Sequence, residues 1–354
     1  MTVQISKFLI ECLDDLEERI DPAVEEKLRQ EWIDFAWGRY SGQIFSPRRP
    51  KPTPSGFDWP KVSINSALEN FELMALQQFS ECSAVLANGS GDVLNVRCNY
   101  GTGILPSLFG LEIYVMDESM NTLPTVRPLH NLDSVQCLLD KGIPDLKQGY
   151  GGKVFEMGER FVEILSSYPK STNVIQVYHP DLQGPLDICE LLFGSSLFLA
   201  LYDQPALVKD VLSLVCQTYI EYMKSWIKLH PFRTEGNAHW GLFYRGSIML
   251  REDSGMNLSA EMFKEFSLPY DQRLLHEFGG GAVHFCGKGD HYIGNLAQLD
   301  DLTAINLTQP SYNDMETIYQ NTIDRGICLL ALDKETAHQA QRQNRDHQNR
   351  IHVR

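Results

Sequence analysis

The sequence is short of the features that would place it quickly. Its eight cysteines include no CxxC pair, so neither a zinc ribbon nor a dithiol redox site is written in their spacing. Positive charge is scarce: 31 basic residues stand against 46 acidic ones, for a net charge of −15. That excludes sequence-independent binding to nucleic acid and adhesion to an anionic membrane, both of which need a basic surface. No GxGxxG follows a first strand, since Gly101-Thr-Gly103 holds only the opening of that pattern, and no P-loop occurs. Dinucleotide and phosphate cradles therefore drop out. The most apolar run, 191–202, covers 12 residues, against about 20 needed to span a bilayer. Internal repeats and low-complexity tracts are missing as well.

What is present fits a folded α/β protein. Of the 354 residues, 43% are hydrophobic and 22% charged, with ordinary numbers of glycine (26) and proline (17). The chain is long enough for one barrel-sized domain of about 250 residues plus an extension. Its opening, MTVQISKFLIECLDDLEERI, lacks the apolar core and cleavage site of a secretory signal. Scattered thiols in such a chain predict reduced cysteines and a cytoplasmic protein.

Asp21-Pro22 marks a helix start, a capping carboxylate followed by proline at the first helical position. The stretch SPRRPKPTPSG, within 43–60, can be neither helix nor central strand and predicts a solvated connector. From about residue 84 the pattern alternates. Strands are expected at 93–98, 173–178, 247–251, 282–286, 303–307 and 327–332. A helix is expected over 205–227, where Leu207, Val211, Leu214, Val215, Tyr219 and Met223 recur at helical spacing. Ser259 caps another helix, and Asn313 with Glu316 reads as a capping box. The Gly279-Gly-Gly281 run reads as a helix-to-strand turn. Such alternation implies a parallel sheet.

The chemistry concentrates in Gly281-Ala-Val-His-Phe-Cys-Gly-Lys-Gly289. His284 and Cys286 are two apart on an expected strand, so both leave the same face. Their Cβ atoms should lie about 6.5–7 Å apart at a rise of about 3.3 Å per residue. A zinc ion with bonds of about 2.0 Å to nitrogen and 2.3 Å to sulfur fits between them. By itself, an HxC pair is equally a packed histidine beside an inert thiol. The surrounding sequence decides.

Several short pieces, in order, resemble the uroporphyrinogen decarboxylase superfamily over about residues 90–335. They are Gln183-Gly-Pro-Leu186, Leu192-Phe-Gly194, Leu201-Tyr-Asp-Gln-Pro-Ala-Leu207 and Glu252-Asp-Ser-Gly255. Leu258-Ser-Ala-Glu-Met-Phe-Lys-Glu-Phe266, Leu268-Pro-Tyr270, His284-Phe-Cys-Gly287 and Ile305-Asn-Leu-Thr-Gln-Pro310 follow. The resemblance implies a (β/α)8 TIM barrel over 81–354, with 1–80 as a mainly helical N-terminal extension. It places the site at the C-terminal ends of the strands.

Within the superfamily, the His-x-Cys-Gly motif is similar to that of the zinc-dependent corrinoid methyltransferases, where it supplies two metal ligands. His284 and Cys286 match those positions. The candidates for a third ligand are Glu235, Glu252, His239 and Cys328. The resemblance implies a methyltransferase that moves a methyl group between a corrinoid, carried by a partner protein, and a small thiol or methylated substrate. Two other readings stand beside it. One is a metal-free decarboxylase of a porphyrinogen-like polyacid, with Asp253 as its acid and Arg245, Arg251 and Lys288 as cations. Trp37-Gly-Arg-Tyr-Ser-Gly42 has a faint likeness to that branch's arginine motif. The other is a non-catalytic barrel that holds a corrinoid or tetrapyrrole. Asp253, as the catalytic group, should share one pocket with Asn99 and Gln176. Tyr100, His179 and Lys288 are further expected to line the substrate site, each following a candidate strand. His291, His338, His347 and His352 are expected at the surface.

Overall fold

The computed structural model describes residues 6–129 and 132–354. Helices begin where the sequence marks them. Asp21 Oδ1 accepts from the N–H groups of Ala23 at 3.0 Å and Val24 at 3.4 Å, and Pro22 opens the helix Pro22–Ala36. Proline fits there because that N–H has no intrahelical partner anyway. Ser259 caps Ala260–Phe266 by accepting from Met262 N–H at 3.2 Å. The long amphipathic stretch folds as Pro205–Leu229, with Val208, Val211, Leu212, Val215, Tyr219 and Met223 buried. One cap is displaced by a residue. Asp314, not Asn313, caps Met315–Asn321, because the Asn313 amide is engaged elsewhere.

Six parallel strands form the main sheet. In spatial order they are Ile44–Phe45, Ile351–Val353, Cys328–Leu332, Leu302–Leu307, Gly281–Phe285 and Ile248–Arg251. A separate parallel pair joins Asn95–Val96 to Gln176–Val177. Both strands of that pair are shorter than their alternation predicts. Asn173 and Val174 belong instead to the helix Pro169–Val174, where the Asn173 amide bonds back to the Pro169 carbonyl at 2.7 Å. Single contacts link the pair to the sheet. Met249 N–H donates to His179 Nε2 at 2.9 Å, and Gly184 N–H donates to the Arg251 carbonyl at 3.0 Å. The glycine run is a turn as expected. Gly279 closes the helix Leu268–Phe278 at φ +75°, and a Cβ on Gly281 would stand 1.9 Å from the Ile248 carbonyl oxygen. Only glycine permits that approach.

The main sheet is buried on both faces, as parallel sheets require. Ile248, Leu250, Val283, Phe285, Ile305 and Leu307 pack into the larger core with the helices. Met249, Ala282, Ala304, Cys328 and Leu330 alternate with them and form a second core. Trp32, Phe35, Phe45 and the hairpin strand Leu242–Tyr244 complete that second core.

The 1–80 segment is helical over Lys7–Arg19, Pro22–Ala36, Ile64–Glu69 and much of Phe71–Asn88, and it also supplies the sheet's edge strand Ile44–Phe45. The connector after that strand is not simply solvated. Arg49 is buried and bidentate to Glu25, at 2.7 and 2.6 Å. Two tail histidines are likewise buried. His347 is fully covered, and His352 lies on Ile351–Val353 with Nδ1 accepting from Ala331 N–H at 3.0 Å. His291 is at the surface as expected, with Nε2 on the Leu258 carbonyl at 2.8 Å. Among the described residues, one helical stretch, Pro185–Asp203, is long and apolar enough to cross a membrane, and 56% of its apolar window is buried inside the protein.

Candidate metal centre

Strand register assembles the centre. His284 lies opposite Arg251 on one neighbouring strand and opposite Asn306 on the other. Cys286 follows directly on the end of Gly281–Phe285, and Asp253 lies two residues past Ile248–Arg251. All three reacting groups therefore stand at strand C-terminal ends.

The His284 ring is fixed by a chain of hydrogen bonds. The Asn306 amide donates through Nδ2 to the Leu330 carbonyl at 2.8 Å, which orients Oδ1 toward His284 Nδ1 at 2.7 Å. Nδ1 must then carry a proton, and Nε2 is the ring nitrogen that faces Cys286 Sγ at 3.2 Å and Asp253 Oδ1 at 3.5 Å. One donor atom each from Asp253, His284 and Cys286 lies within 4.8 Å of the others. Tetrahedral zinc with bonds of about 2.0–2.3 Å separates its ligand atoms by roughly 3.3–3.8 Å, so the set fits.

Electrostatics tie these groups together without an ion. Burial would push His284 down, but Asp253 and Cys286 outweigh it and hold the imidazole up at about 9. Burial would raise Asp253, but His284 and Arg251 pull it down to about 2. Asp253 Oδ1 also accepts from Cys286 N–H at 3.0 Å, and its Oδ2 lies 3.4 Å from Arg251. The loop after Cys286 is clasped from the next unit. Gln309 Oε1 accepts from Gly287 N–H, while Asn313 Oδ1 accepts from Gly289 N–H at 2.7 Å and Asp290 N–H at 3.0 Å. That clasp is why Asn313 is not a helix cap.

Beneath the centre lies the tip of the 237–244 hairpin. Trp240 at φ +52° and Gly241 at φ +77° make the tight turn, the left-handed pair that two-residue hairpin loops require. The Trp240 ring meets His284 edge-on at 4.9 Å, and the Arg251 guanidinium lies over it at 5.1 Å. Asp181 gathers the remaining charge, with Arg97 at 2.5 Å, Arg251 at 3.0 Å, Trp240 Nε1 at 3.3 Å and His239 Nε2 at 3.5 Å.

The structure corrects most of the expected companions. Glu235 is half-exposed and turns to Arg29 at 3.9 Å. Glu252 leaves the opposite face of its strand and receives the Ser267 hydroxyl at 2.8 Å, so it cannot meet His284. His239 is fully buried against Tyr178, His179 and Trp240. Cys328 lies in the second core beside Arg350. Tyr100 is a core residue packed on Tyr150. His179 spends both nitrogens on the backbone, at Pro180 O and Met249 N. Gln176 spends its amide on Asn237 and Ala238 of the hairpin. Asn99 is buried and donates to Gln77 at 3.1 Å. Asp253, Asn99 and Gln176, expected in one pocket, bond to different partners. Lys288 is exposed near Asp290, at 3.8 Å.

Asp253 instead completes the triad, a place the sequence reading gave to other residues. The signal was available. In 248–253, alternation puts Met249, Arg251 and Asp253 on one face and Glu252 on the other. Asn306, Asn313, Asp181, Arg97 and Trp240 carried no comparable signal, because only the fold brings them together.

No family model matches the sequence, and no curated protein matches it. Among solved structures, the chain is similar to a methyltransferase from Methanosarcina mazei, at a TM-score of 0.60 and 15% sequence identity, over 86% of this chain and 82% of that one. At that identity the likeness shows a shared fold.

Proposed function

We propose that this protein is a zinc-dependent methyltransferase that moves a methyl group between a corrinoid and a small thiol or methylated substrate. The observation that carries the reading is the Asp253–His284–Cys286 triad, with the His284 tautomer set by Asn306. The likeness to a solved methyltransferase supports it. So does the strand arrangement, in which the six-stranded ladder and the parallel pair are read as the wall of a (β/α)8 barrel with the triad at its mouth.

His284, Cys286 and Asp253 would hold the metal, which when bound supplies the positive charge that keeps a thiol substrate ionised at neutral pH. The chain's own residues do the remaining work. Asn306 keeps the proton on Nδ1 and the lone pair on Nε2. Arg251 steadies Asp253 through Oδ2, and Trp240 forms a rigid wall behind the imidazole. Thr308 Oγ donates to Cys286 Sγ at 3.3 Å and helps fix where the sulfur points. A corrinoid would be presented at the strand ends by a carrier protein in the cytoplasm.

The decarboxylase reading fits less well because its cations are committed or misplaced. Arg251 is held by Asp181 and Asp253, and Arg245 lies over the Trp37 ring at 5.2 Å, before the strand that Asp253 follows. Elemental analysis of protein purified without chelator or nickel affinity resin tests the proposal, together with zinc titration of wild type and of a His284→Ala, Cys286→Ser variant. One zinc per chain, lost in the variant, is expected, along with methylcobalamin consumption in the presence of a thiol. Equal, weak zinc binding by both proteins would refute it.

A further inference from the structure

The strands Asn95–Val96 and Gln176–Val177 start beside the helix Pro22–Ala36. A cavity of about 290 Å³ opens there against that helix. Leu28, Trp32, Val93, Leu94, Val174 and Phe243 give it apolar walls. The acids along its rim are each matched to a cation. Glu25 is bidentate to Arg49, Glu26 is bidentate to Arg29 with both bonds at 2.9 Å, and Asp92 holds Arg354 at 3.0 Å.

Arg233 is the exception. It is half-buried where this cavity meets a second one of about 200 Å³, and both are lined by Gln176 and Arg233. Among the described residues its guanidinium makes no hydrogen bond or ion pair; only its backbone does, with Asn237. Gln176 cannot serve it, since that amide is spent on Asn237 and Ala238. Glu235, two residues on, turns to Arg29 instead. Glu26 and Glu235 attract it only from a distance, against the repulsion of Arg29. A partly desolvated cation with no group in contact is costly, and a planar guanidinium is suited to bidentate capture of a carboxylate.

We propose that this cavity binds a small monocarboxylate with an apolar body, its carboxylate on Arg233 and its body against Leu28, Leu94 and Phe243. The space equals about ten waters at roughly 30 Å³ each, which suits a benzoate-sized acid and is too small for a nucleotide or a tetrapyrrole. The site shares no residue with Asp253, His284 and Cys286, so it stands or falls apart from the metal.

The test is calorimetry on the full chain with benzoate and with benzyl alcohol as the neutral counterpart. The proteins are wild type, Arg233→Lys and Arg233→Met, the last keeping an apolar stem in place. Wild type should bind benzoate with a dissociation constant at or below about 1 mM. Arg233→Met should lose at least about tenfold and Arg233→Lys less, because lysine keeps the charge without the fork. Benzyl alcohol should bind weakly and alike to all three. Thermal unfolding checks that each variant is folded, and a benzoate-dependent rise in Tm should appear in wild type and vanish in Arg233→Met. Absence of benzoate binding to wild type, or equal benzoate affinity in Arg233→Met, overturns the proposal.

Discussion

His284 Nδ1 and Asn306 Oδ1 lie 2.7 Å apart across adjacent parallel strands, and this contact decides which imidazole nitrogen faces Cys286. Asn306 is oriented in turn by the Leu330 carbonyl, so its amide cannot swap ends without losing both bonds. Partners of this kind set the basicity and direction of a metal-binding histidine.

Asn306→Ala should therefore weaken zinc binding by about 10–100-fold while leaving the fold intact. Zinc calorimetry on wild type and variant checks this. Unchanged affinity would show that the ring is held by other contacts.

Neighbouring carboxylates should behave oppositely. Asp253→Asn should cost zinc affinity on the order of tenfold or more, because it removes a charged ligand. Glu252→Gln should leave zinc affinity alone, since Glu252 faces Ser267 and Asp271, away from the centre. Burial and the nearby acids push its carboxyl well above the usual range, so the neutral amide resembles its resting form. A zinc defect in Glu252→Gln would place the wrong face of this strand in the centre.

The metal-free protein should lose stability on the alkaline side. His284 is held at about 9, above its ordinary 6.5. A group raised in the folded state stabilises fully below its unfolded value, and that contribution fades as pH rises through the folded one. The loss should run from about pH 6.5 to beyond 9 and total on the order of 3 kcal/mol. Asp253, lowered from 3.8 to about 2, gives the opposite limb: its contribution is present above pH 3.8 and lost as pH falls through 2. Urea unfolding of chelator-treated protein across this range checks both limbs, and in Asp253→Asn the alkaline loss should shrink.

Arg49 and Glu25 form a buried pair between the connector and the helix Pro22–Ala36. Arg49→Ala should destabilise by about 3–5 kcal/mol by stranding a buried carboxylate. A double Arg49→Met, Glu25→Leu replacement should cost far less. Denaturant midpoints of the two variants distinguish this from a general packing defect.

Much of the site was legible because it rests on local periods. The two-residue spacing of His284 and Cys286 sends both from one strand face, and the structure brings them within 3.2 Å. The caps at Asp21 and Ser259 and the turn at Gly279 are similarly local, since a cap or a left-handed turn involves only a few consecutive residues. Of the four residues expected for the third place, Glu252 missed by a single position from Asp253, and one position reverses the face.

The sequence alone determined that a parallel α/β sheet would form, that one strand would present His284 and Cys286 together, and where several helices would start. Those features depend on propensity, capping and alternation within a few residues. Tertiary structure decided that Asp253 completes the group, that Asn306 sets the imidazole tautomer, and that Trp240 lies against it from a hairpin elsewhere in the chain. It also decided that His179 and Gln176 spend their polar atoms on the framework. Each of these depends on the register between strands and on which distant backbone groups need a partner, and no short-range pattern in the sequence encodes either.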